Sequence, residues 1–300
     1  KNIQRITLYS SDIKLNKSLQ SYCFSKGIKL ESKKNIFFKK KFNNFNFKYI
    51  FKNLPYEIKS FIWFFYKVFT NLPLKITGLQ DFNLKDNKHI FVSYLFNMKQ
   101  SDLSQFKFSS YWGNLPGKLI EKKIKSLWIH IYVKDNYLNN SFKAANLIRR
   151  LNLKNKFQKH VTLYSYMDFK VIYKVIKDWL NIYFKVKKIN IKNNFPYLKG
   201  YDVWNYYKED WFDSLVGINA VDNLLILNLF EKAFFGFKEN KSFYYLLENQ
   251  GWEIAMLSII SNLKKTKVVG FCHASVRFWD LRNFYDKREY YRIDKYKIPR

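Results

Sequence analysis

Apolar positions along the chain follow two patterns: short unbroken runs typical of buried strands, and longer runs in which apolar residues recur at helical spacing. The clearest example lies between residues 89 and 133, where HIFVSYLF and SLWIHIYV flank YWGNLPGKLIEKKI, a turn followed by a helix. Two apolar strands separated by a helix form a βαβ unit, and such units build parallel sheets. The pattern predicts an α/β fold with a Rossmann-like parallel sheet over about 89–275, flanked by helices.

The rest of the chain continues this alternation. Near the N-terminus, a helix is predicted at 12–26 between strands at 3–9 and 28–30, and Gly27 ends that helix. The other predicted elements are helices at 55–70, 141–151, 168–185, 219–237 and 242–264, and strands at 161–165 and 267–273. The predicted domains are a basic, aromatic α/β region at 1–88, a Rossmann-like domain at 89–286 and the start of a linker at 287–300.

Composition narrows the class of protein. Hydrophobic residues make up 48% of the chain and aromatic residues 20%, which excludes a disordered protein. Cys23 and Cys272 are too few for a disulfide framework, so a cytoplasmic protein is expected. No apolar run reaches the roughly 20 residues of a membrane span, and the best candidate, FIWFFYKVF, contains Lys67. The chain starts without Met and ends without a closing element, so a fragment of a longer protein is expected.

The net charge of +31, with 54 Lys and Arg against 23 Asp and Glu, suits contact with anionic surfaces. Only eight of the basic residues are arginine, and the lysines are spread along a chain rich in residues with A/T-rich codons. A solvated surface shaped by codon usage is therefore the favoured interpretation of the charge, ahead of a membrane-facing surface and of nucleic-acid binding. The basic, aromatic N-terminal region suits peripheral contact with an anionic inner membrane. Five arginines fall in the last 24 residues, where guanidinium geometry would hold carboxylates or phosphates: Arg277, Arg282, Arg288, Arg292 and Arg300.

Several common catalytic motifs are absent from the sequence. There is no Gly-x-Gly for a dinucleotide, no Asp-x-Asp and no Gly-x-Ser-x-Gly elbow. The run from Gly113 to Lys118 resembles a phosphate loop but has the wrong spacing, which indicates a structural turn. Asp210 and Asp213 share a helix face without forming a metal cage, and the four histidines have no cysteine partners at zinc spacing. We therefore expect no metal and no cofactor.

Polar and aromatic residues concentrate between positions 248 and 286, around the carboxyl end of the last predicted strand. Ligands of parallel α/β sheets bind beyond the carboxyl ends of strands. Aromatic rings can stack on sugars, carboxylates accept from hydroxyls and arginine holds acidic groups, so this cluster predicts a sugar or sugar-phosphate site. The candidate catalytic residues, as acid or base, are Glu248, Glu253 and His273. The candidate substrate-binding residues are Gln250, Trp252, Ser275, Arg277, Trp279, Asp280 and Arg282.

Each of these residues also has a structural interpretation. The two glutamates could serve the N-terminal dipole of a helix, and the two tryptophans could belong to the core. Asp280 and Arg282 could form a structural ion pair, and His273 could be a hydrogen-bonded residue at a strand end. The sequence leaves both interpretations open for every member of the cluster.

The runs YYLLENQGWEIAM and GFCHASVRFWDLRNFYD carry a family resemblance. They resemble bacterial surface-carbohydrate biosynthesis proteins of O-antigen, capsule and lipopolysaccharide loci, which are similar to GT-B-like glycosyltransferases of the Kdo type. The stretches FVSYLFN, LWIHIYV and DVWNYYKEDWFDSLVG agree, so the resemblance covers about 90–286 and leaves out 1–88. It implies the N-terminal, acceptor-side half of a two-domain fold, inactive without a C-terminal nucleotide-sugar domain beyond the linker.

The function that the resemblance implies is transfer of a sugar from a nucleotide-sugar donor to a glycan or lipid-linked saccharide acceptor. It also implies that helix dipoles and basic residues, and no metal, neutralise the leaving phosphate. Two alternatives remain at the level of sequence. One is a basic RNA- or ribosome-associated protein of an A/T-rich genome, and the other is a non-catalytic partner in carbohydrate assembly.

Overall fold

A computed structural model describes residues 3–33, 50–51, 53–77, 88–95, 106–189, 204–235, 237, 241–263 and 265–272. The chain divides into two compact units, Lys1–Trp63 with Asp178–Val221 and Phe64–Lys177 with Asp222–Arg300. In chain order the elements are β1 (Arg5–Tyr9), α1 (Ile13–Ser25), β2 (Lys29–Lys33), α2 (Tyr56–Asn71), β3 (His89–Leu95), α3 (Leu115–Glu121), β4 (Ser126–Tyr132), α4 (Ser141–Lys154), β5 (Gln158–Thr162), α5 (Phe169–Lys188), α6 (Trp204–Leu215), α7 (Ile218–Phe234), β6 (Ser242–Leu246), α8 (Gly251–Ile260) and β7 (Lys267–Phe271), with 3₁₀ turns at Leu72–Ile76 and Leu163–Tyr166.

The first unit begins with a small βαβ arrangement, as predicted. Strands β1 and β2 pair in parallel, and α1 connects them. Asp12 caps α1, because its Oδ1 accepts from the backbone N–H groups of Lys14 at 2.8 Å and Leu15 at 3.1 Å. Gly27 adopts a φ of +65° just beyond α1, a left-handed conformation that glycine reaches without strain. The sequence therefore places both ends of this helix correctly.

In the helical part of the first unit, two side chains donate hydrogen bonds to the same backbone carbonyl. The backbone oxygen of Val216, between α6 and α7, accepts from the Ser60 hydroxyl at 2.7 Å and from the Trp179 indole N–H at 3.0 Å. Phe61 packs edge-on against the Trp179 ring, with centroids 4.8 Å apart. These contacts satisfy a carbonyl that α6 leaves without a helical partner at its end.

The second unit contains a five-stranded sheet in which every pair is parallel, in the order β5–β4–β3–β6–β7. Helices flank this sheet, which confirms the predicted α/β fold with a Rossmann-like parallel sheet. Phe91 on the central strand pairs in register with Trp128 on one side and Tyr244 on the other. The three rings stack, with centroids 4.3 Å apart for Phe91–Trp128 and 4.7 Å for Phe91–Tyr244. Aromatic stacking thus crosses the middle of the sheet.

Two predicted elements, the helix at 242–264 and the strand at 161–165, differ from the structure. The predicted helix at 242–264 is wrong: Ser242–Leu246 is a strand beside β3, and only Gly251–Ile260 is helical. The strand predicted at 161–165 begins three residues earlier, as Gln158–Thr162. Both compact units are discontinuous in sequence. The domain boundary predicted at residue 88 stays a prediction. The predicted linker at 287–300 lies outside the described residues.

Candidate functional site

The sheet of the second unit has a topological switch point between β3 and β6. From β3 the chain continues to β4 and β5 on one side, whereas β6 and β7 lie on the other side. In open α/β sheets, ligands bind at such a point, beyond the carboxyl ends of the two strands. Strand β3 ends at Leu95 and β6 at Leu246, so residues 247–250 leave the sheet at this point. The ENQ part of the predicted site therefore lies at the position that this fold uses for ligands.

Glu253 fixes the shape of the segment that follows β6. The residue is only 2% exposed. Its Oε1 accepts from the backbone N–H groups of Glu248 and Gln250, each at 2.9 Å. Burial raises the pKa of the Glu253 carboxyl, while these backbone donors oppose the increase. Because Gln250 is the N-cap of α8, Glu253 supplies the carboxylate of a capping box.

Glu248 lies beside a buried phenol at the end of β3. The Tyr94 hydroxyl accepts from the indole Nε1–H of Trp252 at 2.7 Å and forms a hydrogen bond with the Glu248 side chain. Burial raises the pKa of Tyr94 well above its usual value, and the nearby carboxylates of Glu248 and Glu253 add to the increase. Tyr94 therefore stays protonated at neutral pH and can donate its hydrogen to Glu248. The result is a chain of donors from Trp252 through Tyr94 to Glu248.

Aromatic residues from the β3–α3 connection lie near the same strand ends. The Tyr111 ring is 6.0 Å from that of Tyr94. Trp112 stacks on Phe271, the last residue of β7, at 5.3 Å. Its indole donates to the Ser93 hydroxyl at 2.9 Å. The carboxyl edge of the sheet thus carries both rings and a half-buried carboxylate, a combination suited to binding a hydroxylated ligand.

The structure brings together four of the ten predicted site residues. Glu248, Gln250, Trp252 and Glu253 meet at the junction of β6 and α8. The other six lie outside the described residues and stay predictions: His273, Ser275, Arg277, Trp279, Asp280 and Arg282.

Sequence reasoning missed Tyr94, which joins two of the four residues that the structure brings together. Its place near the carboxyl end of the predicted strand HIFVSYLF was the available signal.

The surroundings of Trp252 and Glu253 favour structural roles for both. Trp252 is 5% exposed, and its ring packs edge-on against Tyr94 and Tyr245 rather than presenting a face to a sugar. One oxygen of the Glu253 carboxylate is occupied by two backbone donors. Glu248 and Gln250 are half-buried, so they are the members of the group that solvent and a ligand can reach.

A pair of buried histidines lies on β4 and β5. Nε2 of His130 and Nδ1 of His160 are 3.0 Å apart, and the two rings stack nearly parallel at 5.3 Å. Burial lowers the pKa of His130 to about 3 and that of His160 well below its usual value. Both rings are therefore neutral at physiological pH. No cluster of three or more potential metal-binding side chains occurs among the residues that the structure describes.

Residues of the phosphate-loop-like run and of the Asp210–Asp213 pair form hydrogen bonds within the fold. In the phosphate-loop-like run, the Gly117 N–H donates to the Lys107 carbonyl at 2.8 Å, and Gly117 is buried. In the Asp210–Asp213 pair, Asp213 accepts from the backbone N–H of Ile218 at 3.0 Å, at the start of α7. These contacts give Gly117 and Asp213 structural roles.

An open cavity of about 630 Å³ lies along α4 and the loop before it. Three basic side chains and several apolar ones line it, and no predicted site residue contributes to it. The lining residues are Asn136, Tyr137, Leu138, Lys143, Asn146, Leu147, Arg149 and Arg150.

Among the described residues, one stretch, Tyr206–Phe234, is long and apolar enough to cross a membrane by length and composition, because an 18-residue window within it has a mean hydropathy of 1.2. It includes α6 from Tyr206 onward and all of α7, with a break between Leu215 and Ile218. Core helices of soluble proteins meet the same criteria, so this stretch does not by itself indicate a membrane span.

Comparisons with protein-family models, with curated proteins and with solved structures give no match for this chain.

Proposed function

We propose that this protein is a glycosyltransferase-like component of bacterial surface-polysaccharide assembly, transferring a sugar from a nucleotide-sugar donor to a glycan or lipid-linked acceptor. The supporting observation is the position of Glu248, a half-buried carboxylate at the switch point of a parallel sheet and hydrogen-bonded to Tyr94. The resemblance of its ENQGWE and WDLR runs to the surface-carbohydrate family supplies the substrate class. The proposed location is the cytoplasm, with peripheral contact at the inner membrane.

In this proposal Glu248 is the acid or base that contacts the acceptor hydroxyl, and Tyr94 positions it. A base must lie within hydrogen-bonding distance of the proton that it removes, and a half-buried carboxylate on a loop at the sheet edge can meet this condition. Gln250, also half-buried, would bind a neighbouring hydroxyl through its amide. His273 and the arginines at 277 and 282 keep the roles predicted from sequence, as acid or base and as ligands for acidic groups.

The experiment measures nucleotide-sugar hydrolysis and transfer by the full-length gene product and its Glu248→Gln variant. We expect Glu248→Gln to lower kcat at least about a hundredfold, because general acid–base groups contribute factors of this order. The matched control is Glu121→Gln, which changes an exposed carboxylate at the end of α3 and should leave kcat unchanged. Full activity in Glu248→Gln would remove this residue from catalysis, and no transfer by the wild-type protein would overturn the proposed reaction.

A non-catalytic carbohydrate-binding role is the second candidate. It is favoured by Glu253 and Trp252, two predicted site residues that the structure uses to hold α8 and the strand ends. This role predicts saccharide binding without turnover. Calorimetric titration of an acidic sugar into the wild-type protein and Gln250→Ala, run beside the transfer assay, separates the two candidates.

A further inference from the structure

Helix α5 carries large apolar side chains on its solvent-exposed side. Phe169 is 85% exposed, Tyr173 68%, Leu180 37% and Phe184 58%. At about 100° per residue these four positions fall within roughly 60° of one another, so they form one stripe along the 20-residue helix. Solvent-exposed apolar residues are usually scattered, and a continuous stripe marks a surface that contacts something else.

Lysines border this stripe. Positions 170, 174, 177, 185, 187 and 188 are all exposed lysines, against a single acidic residue in the helix, Asp178. Lys174 forms an ion pair with Glu231, and the Lys187 ammonium lies 4.4 Å from the centroid of the Tyr183 ring. The structure gives no ion pair to Lys170, Lys177, Lys185 or Lys188 within its described residues.

The opposite side of α5 fixes the helix to the protein. Val171, Val175, Trp179 and Val186 are buried, and the Trp179 indole donates to the Val216 carbonyl at 3.0 Å. The apolar stripe is therefore not the core-facing side of the helix. The helix has two apolar sides, and among the described residues only the one that carries Val171, Val175, Trp179 and Val186 is buried.

We infer that the exposed side of α5 binds the surface of an anionic lipid bilayer. Aromatic and aliphatic side chains flanked by lysines are typical of helices that lie in the membrane interface, with the apolar side inserted by roughly 5–10 Å. Charge complementarity selects this partner over a second copy of the chain, because each copy carries a net charge of +31 and two such faces repel. A nucleic acid would satisfy the lysines and leave the aliphatic Leu180 without a favourable contact. The inference does not depend on the reaction proposed above.

The experiment measures binding of the full chain to sedimented vesicles of phosphatidylcholine with and without phosphatidylglycerol. We expect binding only to the anionic vesicles, weakening as salt is raised. The triple variant Phe169→Ser, Tyr173→Ser, Phe184→Ser should bind at least tenfold more weakly. The triple variant Lys170→Gln, Lys177→Gln, Lys185→Gln should lose a similar factor and most of the salt dependence.

Two matched variants control for general loss of apolar area and charge. Phe142, Leu153 and Phe235 are 67%, 86% and 86% exposed and lie outside α5, so replacing all three by Ser should leave vesicle binding unchanged. Lys122, Lys123 and Lys125 are exposed lysines outside α5, and their replacement by Gln should reduce binding less than the α5 lysine variant does.

Equal vesicle binding by the α5 serine variant and the wild-type protein would overturn the inference. So would binding of single-stranded RNA in place of vesicles, or a dimer in which α5 is protected from solvent. Circular dichroism and thermal unfolding of every variant verify that a loss of binding does not come from loss of the fold.

Discussion

Glu248 and Glu253 lie five residues apart and perform different tasks in the structure. Glu253 is buried and accepts two backbone hydrogen bonds at the start of α8, whereas Glu248 is half-buried beside the Tyr94 hydroxyl. The sequence already suggested a structural role for Glu253, as an acidic residue near the N-terminus of a helix, but an N-cap glutamine is not the Ser or Thr of the usual capping-box signature. The role of Glu248 depends on Tyr94, 154 positions earlier, and local pattern could not reveal that contact.

Replacing Glu253 by Ala should destabilise the protein by about 1–3 kcal/mol, because the N–H groups of Glu248 and Gln250 lose their acceptor. The measurement is the free energy of unfolding by urea. The control Glu121→Ala removes an exposed carboxylate and should change that free energy by less than about 0.5 kcal/mol. An unchanged free energy for Glu253→Ala would contradict the capping role and return this residue to the catalytic candidates.

Strand β6 shows which elements the sequence pattern can and cannot identify. The run Ser242–Leu246 is short, apolar and joined to a second apolar run, and periodicity alone does not separate such a strand from a helix. Its three consecutive aromatic residues were the cue for a strand. Strand β5 began earlier than predicted because it contains buried polar residues with distant partners, such as Gln158, whose Nε2 donates to the Pro116 carbonyl at 2.8 Å. Strands β3 and β4 are long and strongly apolar, so the sequence predicted them without knowledge of distant contacts.

The connection between β3 and α3 depends on a close approach at Gly117. A Cβ atom at this position would lie 2.8 Å from the backbone oxygen of Lys107, which cannot move as a side chain can. Gly117→Ala should therefore destabilise the protein by about 1–3 kcal/mol, although alanine favours helices. Thermal unfolding measures this change. Gly27→Ala is the comparison variant. A Cβ atom at Gly27 meets no atom within 4 Å, so any loss of stability in this variant comes only from the positive φ. Wild-type stability in Gly117→Ala would show that the loop can shift.

At the scale of the whole molecule, the sequence predicted the α/β class and the parallel sheet but not the discontinuous division of the chain. The first unit joins segments that are more than a hundred residues apart, and the second joins Lys177 to Asp222, 45 positions further along the chain. The second unit also contains a pair of histidines whose contact no sequence pattern predicted. His130 and His160, 30 positions apart, form a neutral pair inside the sheet that burial keeps from accepting protons.

The free energy of unfolding should fall as the solution is acidified. Both histidines have a lowered pKa in the folded protein, so below the ordinary histidine pKa of about 6.5 the unfolded chain binds protons that the folded chain does not. Below that pKa, each of the two histidines lowers the free energy of unfolding by about 1.4 kcal/mol per pH unit. Urea unfolding at pH 7.5 and pH 5.5 should therefore differ by about 2–3 kcal/mol for the pair.

A His160→Gln variant tests this assignment. It removes one of the two titrating groups, so the pH dependence should fall by about half, while contributions from groups such as Glu253 stay the same in both proteins. An identical pH dependence in the variant and the wild-type protein would show that other groups cause the acid sensitivity.

The stack of Trp128, Phe91 and Tyr244 makes the packing of the sheet visible to optical spectroscopy. Trp128 is completely buried, and its ring lies within 12° of parallel to Phe91. Rings held rigidly in so asymmetric an environment give intense circular dichroism in the near ultraviolet, and this signal disappears when side-chain packing loosens even if helices and strands remain. Acid titration followed by circular dichroism in the near ultraviolet, for side-chain packing, and in the far ultraviolet, for the backbone, would therefore show whether the interior loosens before the backbone unfolds.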